Sequence, residues 1–74
     1  MEAEEWIAAF AAEVGAEAPS SEQIDQMLKL ASVAAHSSER IAAPVACWIA
    51  GSVGADLEQA RLLAEGIAPQ SPPD

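Results

Sequence analysis

The stretch Ile41-Ala42-Ala43-Pro44-Val45-Ala46-Cys47-Trp48-Ile49-Ala50-Gly51-Ser52-Val53 decides how this chain is read. Only Ser52 is polar, so a helix built on it has no face to turn toward water. A helix that is apolar all round belongs in an interior, so the rest of the chain should wrap it. Pro44 either begins this helix or kinks it. It is tolerated in the first turn, where backbone N–H groups lack intrahelical partners anyway, and that places the start at Arg40 or Ile41. Ala43, Cys47, Ala50, Gly51 and Gly54 make a strip of small residues along which another helix can approach closely. Gly54 is the natural stop.

Outward from this segment the chain is Ala-rich, with no period-two alternation, and reads as all-α. A first helix over about Ala3–Val14 sets Trp6, Phe10 and Val14 at four-residue spacing, with Ile7 beside them, as one apolar stripe. Glu2, Glu4 and Glu5 suit the positive end of its dipole, and Gly15 ends it. A second helix opens at Ser20, with Gln23 three residues on in a capping-box pattern. Ile24, Met27, Leu28, Ala31 and Ala35 then follow the helical rhythm. Leu30 and Val33 widen that face enough to meet two neighbours. It should end at His36 or Ser37. A fourth helix starts from Asp56 as N-cap, again with a Gln three residues later. Its inner face carries Leu57, Ala60, Leu63 or Ala64, and Ile67. The expected architecture is a compact bundle of four short helices with the third at its centre, joined by loops short enough to make neighbours antiparallel. Residues 1–68 form one domain, and 69–74, with three prolines, form a disordered tail.

Composition narrows the function. The chain has 74 residues, twelve Asp and Glu against three Lys and Arg, and a formal net charge of −9. Nucleic-acid binding draws its affinity from cations that neutralise phosphates, and no basic run exists here. The same charge disfavours anionic membranes. The longest apolar run is shorter than the ~20 residues of a spanning helix, and the acidic start does not resemble a signal peptide. A cytoplasmic protein is expected. One Cys and one His exclude an internal disulfide and make a zinc site, with its roughly four ligands, implausible. No cofactor is expected. A core this small rarely yields more than ~3–5 kcal/mol, so idealised helices or self-association must make up the difference.

Chemistry concentrates between the second and third helices. His36 and Arg40 could together hold a phosphate or carboxylate. Alternatively, His36 caps the last carbonyls of its helix, where the dipole favours it, and Arg40 pairs with Glu39, Asp25 or another nearby acid. Cys47 lacks a base within reach and sits in the most apolar segment, where burial makes a thiol inert. No catalytic residue is therefore assigned and no enzyme is expected. Trp6 and Trp48 are either core side chains or anchors for a partner, since Trp is enriched at binding hot spots.

The pattern Val33-Ala34-Ala35-His36, then Arg40, then Ala42-Ala43-Pro44 and Trp48-Ile49-Ala50-Gly51, with Trp6 near the start, resembles a small uncharacterised actinobacterial helical domain. The resemblance covers about Glu5 to Ala68. Many members have Arg-Pro where this chain has Arg40-Ile41, so a second proline is missing from the loop. Members of that family occur alone or in association with the guanylyltransferase that builds molybdenum cofactor. The resemblance thus implies an accessory role in molybdenum cofactor maturation. Together these readings point to a non-catalytic protein-interaction domain whose partner is another protein or a second copy in a homodimer. His36, Arg40, Trp48 and Trp6 are its candidate binding residues. The alternative is a small anionic-ligand module built on His36 and Arg40.

Overall fold

A computed structural model of the protein describes residues 1–67, and these form four helices: α1 (Ala3–Val14), α2 (Ser21–Ser37), α3 (Ala42–Ser52) and α4 (Leu57–Glu65). The all-α bundle of short helices is as the sequence predicts. The tail expected over 69–74 lies outside the described residues.

Helix ends follow from local chemistry. At α2, Ser20 Oγ accepts from the Gln23 N–H at 3.1 Å and the Gln23 side chain accepts from the Ser20 N–H at 2.8 Å. The capping box is therefore complete. At α4, Asp56 Oδ2 accepts from the Gln59 N–H at 3.0 Å. Gly15 and Gly54 adopt φ of 77° and 64°, left-handed values that any Cβ would strain. Each is followed by a bond that folds the chain back over its helix, from Ala16 N–H to Ala11 O and from Ala55 N–H to Ala50 O. Both helices thus end in a Schellman-type turn. Pro44 is the third residue of α3 and lies in its first turn, where it displaces no helical hydrogen bond. It therefore opens the helix. Turn bonds from the Ala42 and Ala43 N–H groups to Glu39 O and Arg40 O lead the chain in.

The interior differs from the expectation in which helix is central and in which way Leu28 faces. Helix packs on helix chiefly as α2 with α3 and α2 with α4, so the hub is α2 and not the uniformly apolar α3. Among the described residues Leu30 of α2, only 3% exposed, is the most buried large side chain, with Ala50 of α3 and Ala11 of α1 the other two buried apolar residues. Leu28, placed by periodicity on the inner face of α2, points outward instead. On α4 the inner face takes Ala64 rather than Leu63. The physical reason is cover: three of the four helices have twelve residues or fewer, and helices that short cannot enclose a third helix on all sides.

The first loop also departs from an antiparallel hairpin. Ser21 Oγ donates to Glu4 Oε2 at 3.3 Å, which brings the start of α2 beside the start of α1. Residues 15–20 therefore run back along the length of α1, about 18 Å for twelve residues. On α1 only Ile7 and Ala11 are partly or fully buried. Its stripe of Trp6, Phe10 and Val14 stays exposed.

Candidate functional site: an exposed apolar face beside Arg40

On α3 the side chains sort by angle around the helix axis. Ala43, Cys47 and Ala50 turn inward, and all are partly or fully buried. Ile41, just before the helix, and Val45 and Trp48 within it recur at i, i+4 and i+7 on the opposite side. They are 74%, 53% and 72% exposed. This outward stripe begins next to Arg40, in the turn that leads into α3. Trp48 is therefore a surface residue, and the reading of it as a core side chain is corrected. Trp6 on α1 is exposed as well and stacks on Phe10 with ring centroids 5.3 Å apart. The two Trp side chains sit on different helices, on surfaces built from different neighbours.

His36 stands in the last turn of α2, a position its charged form favours. Its ring does not cap the final carbonyls. Nδ1 instead shares a 3.1 Å hydrogen bond with Ser32 Oγ one turn back, and the Ser38 N–H closes the helix onto Ala34 O. Among the described residues the Arg40 side chain makes no hydrogen bond or ion pair, so the predicted pairing with Glu39, Asp25 or another nearby acid does not form there. The ion pair that does form among the described residues joins Arg61 to Glu65 at 2.6 Å, one helical turn apart on α4. Arg40 and His36 are both exposed at the α2–α3 turn.

Cys47 is half-buried, and burial pushes its thiol above the ordinary value. Its Sγ lies 3.8 Å from Met27 O, a weak donor contact that ties α3 to the hub. These surroundings favour the neutral thiol over the thiolate, the reactive form. Among the described residues no three of His, Cys, Asp and Glu are grouped so as to hold a metal ion. No helix among them is long and apolar enough to cross a membrane.

A second apolar surface lies on the other flank of α3. Ala46, Ile49 and Val53 of this flank face Ala60, Leu63 and Ala64 of α4 across a groove of about 460 Å³ floored by Leu30. Neither this groove nor the Ile41–Val45 pair stood out in the sequence. The available signal was the outward spacing that ends on Trp48 and the paired small residues Ala46/Ala50 and Ala60/Ala64. A helix with no polar face hides such divisions, because every side of it looks alike.

A family model described as "Domain of unknown function (DUF6457)" matches residues 1–70. The chain belongs to this family, which spans the whole of the described fold. No curated protein and no solved structure matches the chain.

Proposed function

We propose that this chain is a non-catalytic protein-interaction domain that docks through the outward face of α3. Arg40 and His36 border this face, and Trp48 is its anchor. The observation that carries the reading is the exposure of Trp48 together with Ile41 and Val45 on one stripe. A contiguous apolar patch of this kind marks an interaction surface, whereas single exposed apolar residues do not. Covering a Trp side chain removes on the order of 150 Å² from water, worth roughly 3–4 kcal/mol before ordering costs. The guanidinium of Arg40, which has no carboxylate partner among the described residues, adds direction, since a planar fork recognises a carboxylate of fixed orientation.

The resemblance to domains associated with molybdenum cofactor guanylyltransferase supports that enzyme as the partner and an accessory role in cofactor maturation. The test is calorimetric titration of the chain into the purified guanylyltransferase. Binding that Trp48→Ala weakens about 30-fold, near 2 kcal/mol, supports the reading. Absence of binding at tens of micromolar, or indifference to Trp48→Ala, refutes it.

A second reading, an anionic-ligand module, draws support from Arg40 having no carboxylate partner among the described residues. A rise in melting temperature with phosphate or a carboxylate, lost in Arg40→Ala, would favour it.

A further inference from the structure

We infer that the α3–α4 groove is filled by α1 of a second copy of this chain, in a reciprocal two-fold dimer. The inference extends the reading of this chain as an interaction domain, but uses a surface distinct from the Trp48 stripe. Among the described residues, two complementary features stay unpartnered within one chain. The groove is walled by Ala46, Ala60 and Ala64, whose short side chains leave room between the helices, and its rim carries Ile49, Val53 and Leu63, each at least half exposed. The ridge is Trp6, Phe10 and Val14 of α1, also more than half exposed. The stacking of Trp6 on Phe10 holds the two aromatic rings as one projecting unit.

The dimensions agree. α1 is about 18 Å long, and the groove runs along α3 and α4, which are about 16 and 14 Å long. Two-fold symmetry needs a self-complementary surface in which each chain gives what the other receives, and ridge and groove in one chain meet that need. Exposed apolar surface points the same way. An interface of standard size buries about 800 Å² on each partner, and ridge and groove together offer it six large apolar side chains, each more than half exposed. Occupation by a second copy also supplies α1 with the packing it lacks on its own chain.

Charge makes the inference specific. Two chains of net charge −9 repel each other, and salt screens that repulsion. Dimerisation should therefore tighten as salt rises. A basic partner in the groove would behave oppositely, because salt would screen its attraction.

The experiment is sedimentation equilibrium of the full chain from 1 to 500 µM at 50 and 500 mM NaCl. The wild type should dimerise, with a several-fold lower dissociation constant at the higher salt. Trp6→Glu and Leu63→Glu change exposed positions, and circular dichroism should show both variants as helical as the wild type. Each should be monomeric alone, since each spoils both contacts of its own dimer. Mixed together they should form a heterodimer through the one contact left intact, ten-fold or more weaker than wild type. A wild-type chain that stays monomeric at 500 µM in both salts overturns the inference. So does a dimer that Leu63→Glu leaves unchanged, a dimer that loosens with salt, or a mixture that fails to recover association. A monomer that still binds the guanylyltransferase through Trp48 would remove the dimer and leave the proposed function standing. A salt-tightened dimer that binds no enzyme would do the reverse.

Discussion

α2 and α3 invert the usual link between composition and burial. α2 carries Glu22, Asp25, Lys29 and several Ser and Gln residues, yet it touches both α3 and α4 and holds the most buried large side chain, Leu30. α3 is apolar along almost its whole length, yet Ile49, Val53 and the stripe through Trp48 remain exposed. Burial is set by what lies opposite a face, not by how apolar the face is. α2 is the longest helix, at 17 residues, and presents a broad inward arc to two neighbours. α3, at 11 residues, is covered along the inward arc through Ala43, Cys47 and Ala50. What is left over on α3 is exposed apolar surface, the face proposed above for docking.

The largest test of this contrast is Leu30→Ala. Removing a buried Leu costs about 2–5 kcal/mol, which matches or exceeds the ~3–5 kcal/mol a domain of this size commonly holds. Thermal melts followed by circular dichroism should show a fold that is largely lost at 37 °C. Trp48→Ser, a bigger truncation on the more apolar helix, should move stability by no more than ~0.5 kcal/mol. If Trp48→Ser unfolds the chain as readily, α3 is the true centre and the assignment of α2 as hub is wrong.

Gly54→Ala tests how α3 is ended. A Cβ at Gly54 meets nothing within 4 Å, so its cost is the left-handed backbone alone, about 1–2 kcal/mol. A neutral result in urea denaturation would mean that the turn relaxes and does not fix the angle between α3 and α4. Ser20→Ala removes one half of the capping box of α2 and should cost about 1 kcal/mol, read in the same denaturation series. The effect should be seen across the whole fold, because fraying of the hub loosens both neighbours.

The smallest effect concerns Cys47 on the inward side of α3. Its thiol is raised by burial in the folded chain, so the folded state holds that proton more tightly than the unfolded state does. The stability this confers is fully present below the unfolded thiol's ordinary value and declines as pH rises through the folded one. Cys47→Ala should therefore flatten the alkaline fall in melting temperature between about pH 8 and 10. Alkylation of native Cys47 at pH 8 should be slower than that of the urea-unfolded chain. Equal rates would place Cys47 on the outward side and erase the distinction between the two arcs of α3.

The candidate site shows the same division between what is legible and what is not. His36, Arg40 and Trp48 stand out in the sequence because each is chemically unlike its surroundings, and all three lie at the exposed α2–α3 turn or on the helix that follows it. Trp6 stands out for the same reason but belongs to another surface. Ile41, Val45 and the groove residues do not stand out, since an Ile or Ala in an apolar run has no local mark of which way it faces. The hydrogen-bond partner of His36 was equally hidden. Ser32 sits four residues away at helical spacing, and two local alternatives for the ring differ too little in free energy to be separated by sequence.

The sequence by itself determined the four helices and the starts of α1, α2 and α4, whereas Pro44 as the opening of α3 and the stop of α4 at Glu65, short of Ile67, came from the structure. Caps and left-handed glycines act within a few residues, and their energies do not depend on the rest of the fold. The tertiary structure decided which helix is the hub, which arc of α3 stays exposed, and that α1 returns to the start of α2. Those outcomes depend on how much surface each helix can offer its neighbours. That is a property of all the helices together, and no local stretch of residues encodes it.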